Sequence, residues 1–235
     1  MGFEQIQVQL IDTMGSDRGI AETAWTSSLD QDKKQNRTEE EVKRVINLMA
    51  NGSHGTPFES VIFKFWMRIP IFTDRQVVTH RIASHNGLSG RYRTLPSDYY
   101  SIPDDVKEMM KRVETVSPPI SNQLTNNLEF MHDAAIAAYN DMIYFSKQAQ
   151  DAGIITNKEY KRVREIARGV VPTGGMTERT TIFNLRSFAN YQKLRNSDHA
   201  QPEIRHVAKL MLNCVKEKNV CPIAISALEA KGWVI

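Results

Sequence analysis

An apolar seam between residues 124 and 149 is the feature that most constrains the fold of this chain. Its members recur at alternating spacings of four and three residues: Leu124, Leu128, Met131, Ala135, Ala138, Met142, Phe145 and Ala149. This spacing follows one face of an α-helix, so it predicts a single long helix with a continuous apolar side. Two partners for that side remain open, namely the core of the same chain and a second subunit.

Shorter periodic patterns predict the other elements. Strands are predicted where β-branched and aromatic residues alternate with polar ones, at residues 5–11, 60–69 and 177–185. Further helices are predicted at 158–168, at 186–195, at 201–218 and, as a short one, after Pro222. The sum is one α+β domain over residues 1–235, rich in helices, with a small and mostly antiparallel sheet.

Local signals place three more segments. Thr38 and Glu41 have the spacing of a capping box, which predicts a helix that begins there and ends at Gly52. A helix is also predicted from Thr73 or Asp74 to about Ser84. Residues 94–119 hold four of the nine prolines and predict a long surface loop.

Composition excludes several classes of protein. A formal charge of +3 over 235 residues is too small to indicate a partner with many phosphates. Cys214 and Cys221 lack metal-ligand spacing, and neither has the surroundings of a nucleophile, so no metal site is expected. Because no leader-like or membrane-length apolar segment is found, the expected location is the cytoplasm.

The stretch THRIASHNGLSGRYR, residues 79–93, gathers three arginines and two histidines. On the predicted helix, Gln76, His80 and Ser84 would share one polar stripe. Gly87 and Gly90 would then let the backbone approach a ligand closely. Hydroxyl and guanidinium groups follow at Ser89, Arg91 and Arg93. Exposed N–H groups beside arginines suit a phosphate, and a solvated basic loop is the alternative.

A second polar stripe begins at the end of the third predicted strand. Its members are amides, guanidiniums and an imidazole, at Asn184, Arg186, Asn190, Arg195 and His199. Such groups suit the edge of a heterocycle, although an ordinary polar helix face remains the alternative. The chain contains no glycine fingerprint of a dinucleotide-binding fold and no P-loop, so a nucleotide would require another architecture.

Together these segments resemble the flavin-dependent thymidylate synthases, the ThyX family. THRIASHNGLSGRY resembles the family signature RHRxxSxNxxSxRY, and the upstream HGTPFE resembles HxTPFE. Downstream, REIARGVVP and NLRSFANYQKLRNSDHAQPEI are similar to two further family segments. The four pieces lie in the family's order and extend over most of the chain.

The resemblance implies a homotetramer with a ThyX-like fold and no Rossmann domain. It implies methylation of dUMP to dTMP, with FAD as cofactor and methylenetetrahydrofolate and NADPH as co-substrates. Small molecules, and neither nucleic acid nor membrane, would be the other partners. It also favours a second subunit as the partner of the long seam.

The resemblance also implies roles for individual residues. Arg195 would be catalytic, because a guanidinium beside N3 or O4 of uracil stabilises the anionic ring. The dUMP would contact Gln76, Val77, Val78, Thr79, Gly87, Leu88, Ser89, Gly90, Arg91, Arg168 and Arg195. The FAD would contact His54, Thr56, Thr79, His80, Arg81, Asn86, Gly87, Asn184, Leu185, Arg186 and Asn190.

Two positions depart from the family pattern. Thr79 stands where the signature has its first arginine, and Gly87 stands where the family commonly has Glu or Gln. The losses of a cation and of an acceptor leave alternatives open: another pyrimidine nucleotide, transfer of a hydroxymethyl group, or a relative without activity. A nucleic-acid-binding module is a further, weaker alternative.

Overall fold

The computed structural model describes residues 2–233, except for the side chains of residues 118–125. Ten α-helices lie in this described part: α1 Asp17–Trp25, α2 Gln31–Gln35, α3 Glu39–Asn51, α4 Ile71–Val77, α5 Asp104–Val116, α6 Pro118–Asp151, α7 Asn157–Ala167, α8 Leu185–Arg195, α9 Pro202–Lys218 and α10 Pro222–Ala230. The strands within it are β1 Gln7–Met14, β2 Ile62–Pro70, β3 Ser84–Gly87 and β4 Met176–Asn184. No described helix is both long enough and apolar enough to span a membrane.

The four strands form one antiparallel sheet in the order β1-β2-β4-β3. Alternate side chains of β2, among them Phe63 and Phe65, are completely buried. Phe188 of α8 packs against both of them, with ring centroids 5.2 and 5.7 Å apart. Aromatic contacts of this kind fix α8 on the sheet. The prediction of a helix-rich α+β fold with a small antiparallel sheet is confirmed.

The chain divides into two compact units. The first unit consists of Met1–Ile6, Arg68–Arg75 and Gly87–Arg179, and the second unit consists of Gln7–Met67, Gln76–Asn86 and Thr180–Ile235. That residues 1–235 form a single domain stays a prediction.

In the first unit, α6 buries a side other than the predicted seam. Among the described side chains of this helix, His132, Ile136 and Tyr139 are the buried ones, whereas Met131 and Phe145 of the seam are 61% and 64% exposed. The 4,3 spacing therefore predicts the helix correctly, but packing on the core of the same chain is wrong for these two positions. Leu124, which begins the seam, lies outside the described side chains.

The predicted surface loop at 94–119 is wrong over half its length, because it contains α5. Three of its four prolines mark helix boundaries: Pro103 is the N-cap of α5, and α6 carries two prolines in its first turn. Proline is tolerated there because the first N–H groups of a helix have no partner within the helix. Asp104 and Asp105 add favourable charge at the first turn.

The helix predicted to run to Ser84 is also wrong, because α4 ends at Val77. Residues 84–87 instead form β3, and the N–H of Leu88 just beyond it donates to the carbonyl of Glu178 at 2.8 Å. Pairing with a distant strand satisfies backbone groups that a local helix would otherwise pair. The polar stripe of Gln76, His80 and Ser84 therefore does not form.

Other local predictions are confirmed. The helix α3 starts at a full capping box, in which the Thr38 hydroxyl accepts from the Glu41 N–H at 3.3 Å and the Glu41 carboxylate accepts from the Thr38 N–H at 2.8 Å. Gly52 is its C-cap. The helix predicted at 201–218 forms as α9, and its apolar face, from Ile204 to Val215, is buried.

Candidate functional site

A cavity of about 780 Å³ lies in the second unit, and most of the second polar stripe faces it. Its walls come from the chain after α4, from the exposed side of α8, from Glu59 and from Trp233. Seven residues singled out from the sequence line it together: Thr79, His80, Arg81, Asn184, Arg186, Asn190 and Arg195. Its volume is in the range of small-molecule and cofactor sites.

The orientation of α8 decides which of its side chains reach the cavity. Asn184 is the N-cap of this helix, and its Oδ1 accepts from the Ser187 N–H at 2.8 Å. Phe188 and Tyr191 are completely buried and hold the opposite side of the helix against the core. Arg186 and Asn190, one turn apart, are therefore turned toward the cavity.

Arg195 is held in place by two neighbours on the preceding loop. Its Nε donates to Nε2 of His80 at 2.9 Å, and its Nη2 donates to Oγ1 of Thr79 at 3.1 Å. A guanidinium has only donors, so Nε2 of His80 must be unprotonated. Burial, and after it the charges of Arg195 and His85, lower the pKa of His80 to about 4. His80 is thus a neutral acceptor that orients Arg195.

His85 links the segment after α4, which contains Thr79 and His80, to the sheet. Its Nε2 lies 3.1 Å from the carbonyl oxygen of His80, and its Nδ1 lies 3.1 Å from Oγ1 of Thr181 on β4. Because a carbonyl can only accept, Nε2 of His85 donates to the main chain of His80. The position of His80 beside Arg195 therefore depends on a hydrogen bond to its main chain.

The cavity has a surplus of positive charge. Glu59 is its sole acidic side chain within the described residues, and it is paired with Arg186 at 2.7 Å. For Arg81 and Lys193, which also line it, the described part of the chain provides no hydrogen-bond or ion-pair partner. Cations without partners at the wall of a cavity favour an anionic ligand.

The predicted dUMP residues that lie in the first unit, Gly87 to Arg91 and Arg168, include a second cluster. Arg91 pairs with the Glu165 carboxylate at 2.8 Å, while Arg168 donates to the Glu165 main-chain carbonyl at 3.2 Å. Gly90 allows this approach, because a Cβ there would come within 2.5 Å of the Arg168 side chain. The hydroxyl of Ser89 accepts from the N–H of Arg91 at 3.3 Å. Two predicted guanidiniums thus converge here.

Arg179 occupies the space beside Gly87 in the same unit. Two nitrogens of its guanidinium pair with the Asp74 carboxylate, one of them at 2.6 Å, and both side chains are largely buried. A Cβ at position 87 would lie 3.0 Å from Arg179 Nη2. A larger side chain at this position would therefore have to displace a paired guanidinium.

Several predicted site residues do not line the cavity. His54, Thr56 and Asn86 are exposed elsewhere in the second unit, and Val77 and Leu185 are buried. Gln76 and Val78 lie outside the lining as well, and Gln76 donates to Gln201 at 2.6 Å. A contact of Leu185 with a ligand would have to come from its main chain.

Sequence reasoning missed five of the lining residues: Ile82, Ala189, Lys193, Leu194 and Trp233. Lys193 lies three residues after Asn190 on the same helix, so helical spacing could have found it. Trp233 has no local signal, because only the packing of α10 brings it to this wall.

The thiols are unsuited to nucleophilic chemistry, as the sequence predicts. Burial raises the pKa of Cys221 to about 12 and, together with the charge of Glu217, moves the pKa of Cys214 upward. A protonated thiol is a poor nucleophile.

The lowered pKa of His80 predicts a pH dependence of stability. An unfolded histidine takes up its proton near pH 6.5, whereas folded His80 does so only near pH 4. Its contribution is therefore complete above pH 6.5 and is lost as the pH falls toward 4. Between pH 7 and 4.5 the free energy of unfolding should fall by an amount on the order of 1–2 kcal/mol more in the native protein than in His80→Gln, whose amide oxygen can still accept from Arg195. Urea unfolding at both pH values measures this, and equal losses would contradict it.

Comparison with known proteins gives a consistent set of similarities. Residues 9–223 match the family model described as thymidylate synthase complementing protein. The flavin-dependent thymidylate synthase of Kosmotoga olearia is 31% identical over 222 residues, which cover 94% of this chain and 88% of that protein. The corresponding protein of Thermus thermophilus is 32% identical over 224 residues, covering 94% and 75%. In fold, the chain is similar to PolB of Streptomyces cacaoi, described as a UMP/dUMP methylase and solved with 5-Br dUMP, with a TM-score of 0.73 and 24% identity over 97% of both chains.

Proposed function

The chain belongs to the flavin-dependent thymidylate synthase family and is an enzyme of the methyltransferase class, and on this premise we propose that it converts dUMP to dTMP. The observation that carries the proposal is the placement of Arg195 at the wall of a cationic cavity, where neutral His80 and Thr79 orient it. Methylenetetrahydrofolate as the carbon donor and NADPH as the reductant complete the proposed reaction.

The residues of the cavity fit a flavin nucleotide. Arg81 and Arg186 would pair with its phosphates, and the amide of Asn190 would bind polar edges of its rings. The surplus of cations matches the negative charge of a dinucleotide, and the cavity volume of about 780 Å³ matches its size. When bound and reduced by NADPH, FAD would supply the hydride that completes the methyl group.

Arg195 is proposed to stabilise uracil as its anion. Negative charge on N3 and O4 makes C5 a better nucleophile, and a guanidinium keeps its own charge throughout the pH range in which the protein is folded. His80 contributes by orientation, since its lone pair fixes Nε of Arg195 and leaves other N–H groups for the ring. No thiol is required in this scheme, in agreement with the raised pKa values of both cysteines.

The phosphate of dUMP is assigned to the cluster of Gly90, Arg91 and Arg168. Both guanidiniums are ordered by Glu165, so they are preorganised to bind an anion at lower entropic cost. This cluster and Arg195 need not belong to the same copy of the chain in the proposed homotetramer. Mixed oligomers of Arg168→Ala and Arg195→Ala would regain activity if they belong to different copies.

The exposed seam of α6 supports the homotetramer. Met131 and Phe145 are apolar, large and mostly exposed, and large exposed apolar surface commonly marks a protein interface. Met131→Glu is expected to shift the protein to smaller species, because an interface would bury the new charge without a partner. Light scattering after gel filtration measures the mass. Gln148→Glu, an exposed position of the same helix outside the seam, is the matched control. A mass that does not change in Met131→Glu would contradict this role of the seam.

The reaction itself is tested with dUMP, UMP and dCMP in parallel, each with FAD, methylenetetrahydrofolate and NADPH under anaerobic conditions. The dUMP carries deuterium at C5. The expected result is loss of this label and a product with the mass of dTMP. A product heavier by one oxygen would identify a hydroxymethylase instead. Cys214→Ser should keep its turnover. A protein that takes up no FAD and releases no label would refute the proposal.

A further inference from the structure

The position of Trp233 is set by the way α10 ends. Gly232 adopts φ of +65°, the N–H of Gly232 donates to the carbonyl of Glu229 at 2.8 Å, and the N–H of Trp233 donates to the carbonyl of Leu228 at 2.9 Å. These two bonds define a Schellman motif, in which glycine takes the left-handed position without steric cost. The main chain at Trp233 is therefore anchored to the helix.

The indole of Trp233 lines the cavity that holds Arg195, yet it does not belong to the core. Ile225 and Leu228 of α10 are buried and fill the interior, whereas Trp233 is only half-buried. The same cavity is lined by Ile82 and Leu194, which are 74% and 53% exposed. A half-buried indole among exposed apolar side chains gains little from this position unless a ligand covers it.

The wall of the cavity is thus divided between two kinds of group. Apolar surface is provided by Ile82, Leu194 and Trp233, and positive charge is provided by Arg81 and Lys193, which have no partner among the described residues. A planar ring joined to phosphate groups is complementary to both, because the ring can stack on the indole while the phosphates pair with the cations.

We propose that Trp233 is a positioning residue of this cavity, whose indole stacks on a planar heteroaromatic ring of the bound nucleotide cofactor. The inference rests on the proposed function for the identity of the cofactor. Lys193, in the last turn of α8, supplies a cation for the phosphates of the same ligand. Trp233 takes no part in bond making.

Binding measurements test the proposal without relying on turnover. FAD, FMN and ADP are titrated separately into the native protein, Trp233→Ala and Trp233→Phe, with binding followed by calorimetry and by tryptophan fluorescence. We expect FAD to bind Trp233→Ala about 5- to 100-fold more weakly, the range typical of a lost stacking contact, and Trp233→Phe within about threefold of the native protein. Quenching of fluorescence by bound FAD should decrease in Trp233→Phe. Trp66→Phe, at a tryptophan outside the cavity, should bind FAD like the native protein.

The three ligands distinguish which ring stacks. Weakened binding of FAD and ADP, with FMN unchanged, assigns adenine to Trp233, and weakened binding of FAD and FMN assigns the isoalloxazine. Equal affinity of Trp233→Ala and the native protein for FAD would overturn the inference while leaving the proposed function intact. Failure of the native protein to bind any of the three would overturn both. Thermal unfolding of each variant verifies that it is folded.

Discussion

Replacing Arg195 by alanine is expected to lower kcat for dTMP formation by about 10²–10³-fold, the usual loss when a preorganised donor to a developing anion is removed. The effect should be mostly on kcat, because the guanidinium is proposed to act on the ionised ring. Circular dichroism should be unchanged, since Arg195 is partly exposed at the last turn of α8. Steady-state kinetics with dUMP measure both parameters.

Two companion variants make this result specific. Arg195→Lys keeps the charge but cannot donate to His80 and Thr79 in the same planar arrangement, so it should recover only part of the activity. Arg205→Ala removes a guanidinium on α9 that pairs with Asp198 outside the cavity, and it should retain native kcat. If Arg195→Ala kept more than a tenth of native kcat, uracil activation by this residue would be refuted.

Replacing Asp74 by alanine is expected to cost about 3–5 kcal/mol of unfolding free energy, the typical penalty when one member of a buried ion pair is removed. The side chains of Asp74 and Arg179 are 12% and 14% exposed, so the mutation leaves a cation in a nearly water-free site. Urea unfolding at one fixed protomer concentration measures the loss, because an oligomer gains stability with concentration.

The double variant Asp74→Leu with Arg179→Met tests the cause. It removes both charges and keeps the apolar volume, so it should recover most of the lost stability. The exposed pair Lys147–Asp151 provides the comparison, since Asp151→Ala should cost less than about 1 kcal/mol. A loss below 1 kcal/mol for Asp74→Ala would show that water reaches the Arg179 guanidinium.

The patterns that predicted elements correctly are those whose hydrogen bonds or buried face are local. The capping box at Thr38 and the apolar face of α9 each lie within one helix, so the sequence of that segment is enough to predict them. The failure after Val77 has the opposite cause. Residues 84–87 form a strand because β4, almost a hundred residues later, presents its edge to them. The sequence between Thr73 and Ser84 contains no signal that predicts pairing with β4.

The candidate site divides in the same way. Helical spacing was enough to name Arg186 and Asn190, because residues four apart face one side of a helix whatever surrounds them, and the family motif named Arg195. That His80 is the acceptor for Arg195 depends on a contact across 115 positions of the chain. The approach of Trp233 to the same wall depends on how α10 packs.

By itself, the sequence determined the helix-rich α+β class, the family and most of the polar residues of the cavity, since periodicity and short motifs are properties of neighbouring residues. Only the tertiary structure decided which side of α6 is buried, which imidazole orients the Arg195 guanidinium, and where the paired Asp74 and Arg179 lie. The physical reason is that burial, a lowered pKa and an ion pair in low dielectric all arise from groups distant in the chain, and their free energies exist only once the chain has brought those groups together.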